Sequence, residues 1–155
     1  MQAKRRAFLK GSLAAGATGV AVGAGLLTPR TVMAAWPKSA YTEAKSQSDA
    51  LNAAWGTSGA QDSGDVSVKA PDIAENGAVV PVTVSTGMDA DKIAILVEGN
   101  DFPLCCDYSM KGAQPYLSTR IKMGETSNVV AVVHSGGKLY QAKKEVKVTI
   151  GGCGG

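Results

Sequence analysis

From Asp65 to Ile150 the apolar residues recur at every second position, in runs too short for helices and cut apart by Gly, Pro, Asn and Asp. A period of two places alternate side chains on opposite faces of an extended chain, so each run reads as a β-strand. Val66 and Val68 flank Ser67, and Asp72 to Asn76 reads as a turn with Ile73 inside it. Ala78 to Ser85 carries Val79, Val80, Val82 and Val84, with Pro81 marking an edge or a bulge. Lys92 to Glu98 sets Ile93, Ile95 and Val97 against Ala94 and Leu96, and Gly99-Asn100-Asp101 turns the chain. Tyr116 to Met123 alternates throughout. Val129 to His134 is almost continuously apolar, as in a strand covered on both faces. Gly136-Gly137 signals a hairpin into Leu139–Ile150, where Val146, Val148 and Ile150 face inward. About seven short strands without internal repeats predict an all-β fold: an immunoglobulin-like antiparallel β-sandwich. The likeness to immunoglobulin domains rests on strand count, because the Cys–Trp–Cys core is absent.

Ahead of the strands the texture is helical. Thr42 to Trp55 predicts one helix, with Ala44, Leu51, Ala54 and Trp55 on one face and Thr42 or Ser39 as its cap. Gly56 to Gly64 is a loop. The chain thus divides into residues 1–34, a helix and loop over 35–64, a sandwich over 65–150 and a tail over 151–155.

Residues 1–34 read as an export signal. Arg5-Arg6-Ala7-Phe8-Leu9-Lys10 is a twin-arginine pattern, followed by a Gly- and Ala-rich apolar stretch and by Val32-Met33-Ala34 before a cleavage point. A transmembrane anchor fits poorly, since the stretch is short, weakly apolar and edged by Lys10. The expectation is export to the periplasm by the Tat route, with no membrane insertion after cleavage. Five of the 16 basic residues precede the cleavage point and none of the 13 acidic ones does. The mature chain therefore has 11 basic against 13 acidic residues, a net charge of −2. That balance excludes the broad positive field a nucleic-acid partner needs. Tat carries folded cargo, which implies an inserted cofactor or a partner folded alongside. With one His and three Cys the chain is poor in metal ligands, so a partner is expected and no cofactor or metal.

The tail is Gly151-Gly152-Cys153-Gly154-Gly155. Four glycines around one thiol give a thin, flexible strip able to thread a narrow channel. Cys153 sits roughly 10 Å beyond Ile150 at full extension. An unperturbed thiol titrates near pKa ~8.5, and no Lys, Arg or His flanks Cys153 to lower it. The pattern suits a substrate handle activated inside a partner, not a self-contained enzyme. A binding or adhesion module whose tail Cys links subunits by a disulfide remains the alternative. A thiol oxidoreductase is weaker still, for want of Cys-x-x-Cys.

These features together resemble the SoxY family. The residues that carry the resemblance are the twin-arginine signal, Tyr116-Leu-Ser-Thr-Arg-Ile-Lys-Met-Gly-Glu-Thr-Ser-Asn128, the run Val129–Val133 and the Gly-Gly-Cys-Gly-Gly tail. The resemblance implies a covalent carrier of sulfur in periplasmic thiosulfate oxidation, with Cys153 as attachment site and Gly151, Gly152, Gly154 and Gly155 as its arm. It implies a SoxZ-like second subunit, in a heterodimer or heterotetramer. A SoxAX-like haem enzyme would conjugate thiosulfate to Cys153 and a SoxB-like enzyme would hydrolyse the sulfonate. In some systems a sulfane dehydrogenase follows.

Cys105-Cys106 departs from the family pattern. On a strand the two would point to opposite faces. A buried small hydrophobe, a bond to another subunit, a vicinal disulfide and a second carrier thiol all remain open. His134 is expected at a core edge rather than as a base, and Asp101 and Asp107 in turn chemistry near Pro103. Lys138 to Lys147, with four Lys and one Glu, reads as a solvated strand face or a docking patch. Met88, Met110 and Met123 are too scattered for a copper site.

Overall fold

The computed structural model describes residues 37–149. Two short helices, α1 (Lys38–Thr42) and α2 (Gln47–Trp55), precede nine strands. These are β1 (Gln61–Asp62), β2 (Val66–Lys69), β3 (Ile73–Ala74), β4 (Val80–Thr86), β5 (Lys92–Val97), β6 (Leu104–Ser109), β7 (Tyr116–Ile121), β8 (Ser127–Ser135) and β9 (Lys138–Val148). A six-stranded sheet runs β1-β9-β8-β5-β6, with β3 also on β9, and a three-stranded sheet runs β2-β4-β7. The two sheets form the expected β-sandwich. Its pairing is antiparallel except where β1 and β3 lie parallel to β9. Among the described residues no helix is long and apolar enough to cross a membrane.

The period-two pattern explains why β5 and β8 lie at the centre. Ile93, Ile95 and Val97 of β5, with Val129, Ala131 and Val133 of β8, pack between the sheets against Val80, Val82 and Val84. Ala94, Leu96, Val130 and Val132 point the other way, onto a second cluster with Ala40, Ala44, Ala50 and Leu51 of the helical segment. Both strands are therefore covered twice, and all of Ile93–Val97 and Val129–Val133 is buried. Burying a Val or Ile side chain contributes about 1.5–3 kcal/mol, so these two strands hold much of the fold's stability.

The helical region differs from the single helix expected over Thr42–Trp55. The chain breaks after Thr42, because Ser46 takes an extended conformation (φ −125°, ψ 160°) and caps a new helix. Its hydroxyl accepts from the Asp49 amide at 3.1 Å, satisfying a donor that has no partner inside the helix. Neither Ser39 nor Thr42 is the cap. Pro37 precedes α1 without a side-chain bond, and the Thr42 hydroxyl donates to the Lys38 carbonyl at 3.0 Å. Gly56, at φ 71°, closes α2.

The expected turn at Asp72–Asn76 is also corrected, since Ile73 and Ala74 form β3 beside Lys147 and Val148. Pro81 sits where the sequence places it. The ladder from β2 reaches only Thr83, so β4 has no neighbour on that side at Pro81. Gly136 and Gly137, at φ 56° and 77°, make the hairpin from β8 to β9.

Candidate functional site

Cys153 and the glycines Gly151, Gly152, Gly154 and Gly155 lie outside the described residues, as do Ile150 and the export signal over residues 1–34. The structure describes the element from which the tail departs. The end of β9 and Thr149 just after it are held from both sides. On one side Lys147 donates its amide to the Asp72 carbonyl at 3.0 Å and Thr149 to the Ala74 carbonyl at 3.1 Å. On the other, the Val148 amide donates to the Thr126 hydroxyl at 2.9 Å. Gly77 closes the end of the sandwich, with its carbonyl accepting from the Met123 amide at 2.7 Å. A Cβ at Gly77 would stand 2.4 Å from the Met123 carbonyl oxygen and 2.9 Å from Val148 Cγ1. The tail therefore leaves from a fixed root. From Thr149 to Cys153 is four residues, about 14 Å at full extension.

The two other thiols sit on β6, and here an expectation fails. Opposite Ile95 of β5 stands Cys106, while Leu96 faces Leu104, so Cys105 is an extra residue in a β-bulge. The bulge breaks the alternation, and both cysteines pack against the core between the sheets. Both are free and half-buried. The Cys105 sulfur lies 3.8 Å from Asn100 Nδ2 and 3.7 Å from the Pro103 carbonyl. Burial pushes the Cys105 thiol up to about 12, with a smaller push from Cys106. Burial likewise pushes the Cys106 thiol up to about 11, although a backbone bond at Ile95 opposes it. Both thiols stay protonated at neutral pH and are poor nucleophiles. A groove of about 310 Å³ beside them is lined by Asn100, Phe102, Arg120 and Lys122, among others. The reading as small buried hydrophobes fits this environment best.

Asp107 has a role that the sequence does not reveal. It lies in β6 rather than in a turn, and its carboxylate accepts from the Tyr41 hydroxyl and from Trp55 Nε1 at 3.2 Å. It ties both helices to the sheet, and burial together with the Asp107 bond pushes the Tyr41 hydroxyl well above its ordinary range. Asp101 does lie in the turn after β5, on the rim of a cavity of about 430 Å³ with Asn100, Phe102, Lys122 and Glu125. Asn100 fastens that turn by donating to the Lys122 carbonyl at 2.8 Å and accepting from the Gly124 amide at 2.9 Å. His134 is at the core edge as expected, 3.1 Å from Asp91 and edge-on to Trp55.

The lysine-rich stretch is β9. Lys143 pairs with Glu98 at 2.7 Å and Lys144 with Asp72 at 2.9 Å, which makes it a partly neutralised strand face. Met110 and Met123 are buried in the core with Met88 against it. Among the described residues no group of three or more His, Cys, Asp or Glu could hold a metal ion.

Among solved structures the chain is similar to the sulfur carrier protein SoxY from Chlorobium limicola f thiosulfatophilum, with 44% identity and a TM-score of 0.57. That match covers 66% of this chain and 94% of the other. Two more distant likenesses carry no fold argument. One is to an engineered protein (15% identity, 55% of this chain and 20% of that one, TM-score 0.38). The other is to a Jonesia denitrificans lytic polysaccharide monooxygenase (9% identity, 69% of this chain and 75% of that one, TM-score 0.35). No curated protein matches the chain. The family model of the sulfur oxidation protein SoxY matches residues 51–153, a span that runs from α2 through the whole sandwich to the tail cysteine. With two thirds of the chain inside that match, and a SoxY sandwich sharing 44% of the aligned residues, the chain belongs to the SoxY family.

Proposed function

We propose that this protein carries sulfur intermediates covalently on Cys153 in periplasmic thiosulfate oxidation, presents them to partner enzymes and does no catalysis itself. One observation carries the reading: the SoxY family match extends to residue 153, into the Gly-Gly-Cys-Gly-Gly tail. The other two thiols are half-buried and kept protonated, which leaves Cys153 as the thiol suited to exchange. The fixed root at β9 supports it further, because an arm hung on a rigid strand presents its tip to a partner in a defined zone.

The chemistry follows from the thiol. A partner haem enzyme joins Cys153-SH to the thiosulfate dianion, forming one S–S bond and taking up two electrons while the one thiol proton leaves. Water then splits the terminal S–SO₃⁻ bond, releasing sulfate and leaving a persulfide on Cys153. A SoxZ-like subunit completes the carrier, SoxAX-like and SoxB-like enzymes act on the tail, and a sulfane dehydrogenase oxidises the remaining sulfur where one is present. The twin-arginine pattern supports export of the folded complex.

Intact-mass analysis of the protein from thiosulfate-grown cells tests the proposal. The expected result is reductant-removable additions of sulfur or thiosulfonate on Cys153, lost in Cys153→Ser. At pH 8 an alkylating reagent should modify Cys105 and Cys106 about two to three orders of magnitude more slowly than Cys153, from their thiolate fractions. Cys153 found only as an intersubunit disulfide would overturn the carrier reading.

A further inference from the structure

The carrier reading leaves open which surface of the scaffold the enzymes touch, and the length of the tail narrows it. An enzyme that takes in Cys153 must bring the mouth of its channel within about 14 Å of Thr149, the stretch four residues can span. Only the end of the sandwich around the β9 root lies in that zone. There, β3 runs beside Lys147 and Val148, and the Gly77 backbone closes against Val148.

Two aliphatic side chains at this end stand about half in solvent. Ile73 of β3 is 56% exposed and Val79, just before β4, is 50% exposed. Their neighbours Ala74 and Val80 are buried in the core, whereas Ile73 and Val79 belong to neither core cluster. The other large exposed apolar groups differ in kind or place. Phe102 lies under the Lys45 ammonium, 4.0 Å from its ring centroid. Tyr108 and Tyr116 carry hydroxyls, and their strand partners Ile93 and Ser85 lie toward the opposite end. Among the described residues, large aliphatic side chains are thus exposed only at the base of the arm. Single exposed apolar residues are common and mean little. These two are β-branched, and both lie at the end of the sandwich from which the short reactive tail departs.

We infer that Ile73 and Val79 form a small apolar collar on which the enzymes that process Cys153 seat the apolar rim of their channel. This rests on the carrier reading. An uncharged collar can be shared by enzymes of different surface charge, and its small size suits partners that must release the carrier after each step.

The test uses the full chain with its second subunit, loaded with thiosulfonate on Cys153, and the hydrolase that removes the terminal sulfonate. In Ile73→Lys/Val79→Lys the KM for loaded carrier should rise about tenfold with kcat unchanged, a tenfold step corresponding to the loss of one small apolar contact. Ile73→Thr/Val79→Thr, which keeps the β-branch, should give a smaller rise. Alkylation of free Cys153 by a small reagent should not change, and Tyr116→Lys at the far end should leave KM as it was. An unchanged KM in both double variants would overturn the inference, as would loss of the second subunit from them, which would assign the collar to the subunit interface. Failure of the carrier reading has a different signature: no cargo on wild-type Cys153.

Discussion

At the hairpin end of the sandwich, Gly136 and Gly137 turn β8 into β9 with φ of 56° and 77°, and nothing lies within 4 Å of where their Cβ atoms would stand. At the tail end, Gly77 has no such φ, yet a Cβ there would collide with the Met123 carbonyl and with Val148. Gly99, in the neighbouring turn, is similarly crowded, 2.8 Å from Glu125 Cγ and 2.9 Å from Ser127 Cβ. One end uses glycine for backbone conformation and the other uses it for space. The difference shows where the molecule needs rigidity: the hairpin only reverses the chain, while the tail end holds the strand from which the arm departs.

The largest test of this contrast is Gly77→Ala. The added methyl group meets a backbone oxygen at 2.4 Å, which cannot yield as a side chain tip would. The expected cost is about 2–3 kcal/mol, from overpacking and the shift of Met123 or Val148 that must follow. Gly136→Ala has open space and should cost about 1–2 kcal/mol, the penalty for a left-handed backbone with a Cβ. Urea denaturation of the two variants gives the comparison. Equal midpoints would mean that the tail end is no more tightly built than the hairpin.

The two ends also differ in how far the sequence discloses them. Gly136-Gly137 between two apolar runs is a local signal, and the hairpin follows from it. The central strands β5 and β8 were legible for the same reason, because Ile93–Val97 and Val129–Val133 carry apolar side chains on both faces. The tail end depends on pairings distant in sequence. Ile73 meets Lys147, and Gly77 meets Met123, contacts that no window of adjacent residues contains. Asp107 was obscured likewise, since Tyr41 and Trp55 reach it across the sequence. The bulge at Cys105 replaced the alternation from which the opposite-face expectation was drawn. The break before α2 is a different case: Ser46, three residues before Asp49, is a local capping signal, and the helical periodicity of Ala44 and Leu51 masked it. As for the site, the tail motif was evident from sequence, while its clamp by Asp72, Ala74 and Thr126 came only from the fold.

A second, smaller test compares hydroxyls. At the tail end the Thr126 hydroxyl accepts from the Val148 amide at 2.9 Å, and at the far end the Ser135 hydroxyl donates to the Asp89 carbonyl at 2.7 Å. Thr126→Val keeps the side-chain shape and removes the acceptor, at a cost of about 1 kcal/mol. Amide exchange at Val148 should quicken about fivefold, the factor that energy implies. Ser135→Ala removes a donor from an exposed carbonyl that water can satisfy, so about 0.5 kcal/mol or less is expected. A larger loss in Ser135→Ala than in Thr126→Val would reverse the ranking of the two ends.

The smallest effect belongs to the charge at the tail end. The Lys143 ammonium at 2.7 Å, and after it the Asn128 amide, hold the Glu98 carboxyl below its usual range. A carboxyl whose value is lowered by folding stabilises the fold above its unfolded value, near 4.3 for Glu, and loses that contribution as pH falls through the folded value. The pair is exposed, so water and salt screen it and its worth is about 0.3 kcal/mol. Wild type and Glu98→Gln should therefore differ slightly in stability at pH 7 in low salt. Their unfolding midpoints should converge as pH falls below about 4, or as salt is raised to about 1 M, where the screening length shrinks to about 3 Å. A gap that persists in acid and in high salt would mean that Glu98 fastens the turn through its bond from Asn128, by geometry and not by charge, as Gly77 fastens the same end by shape.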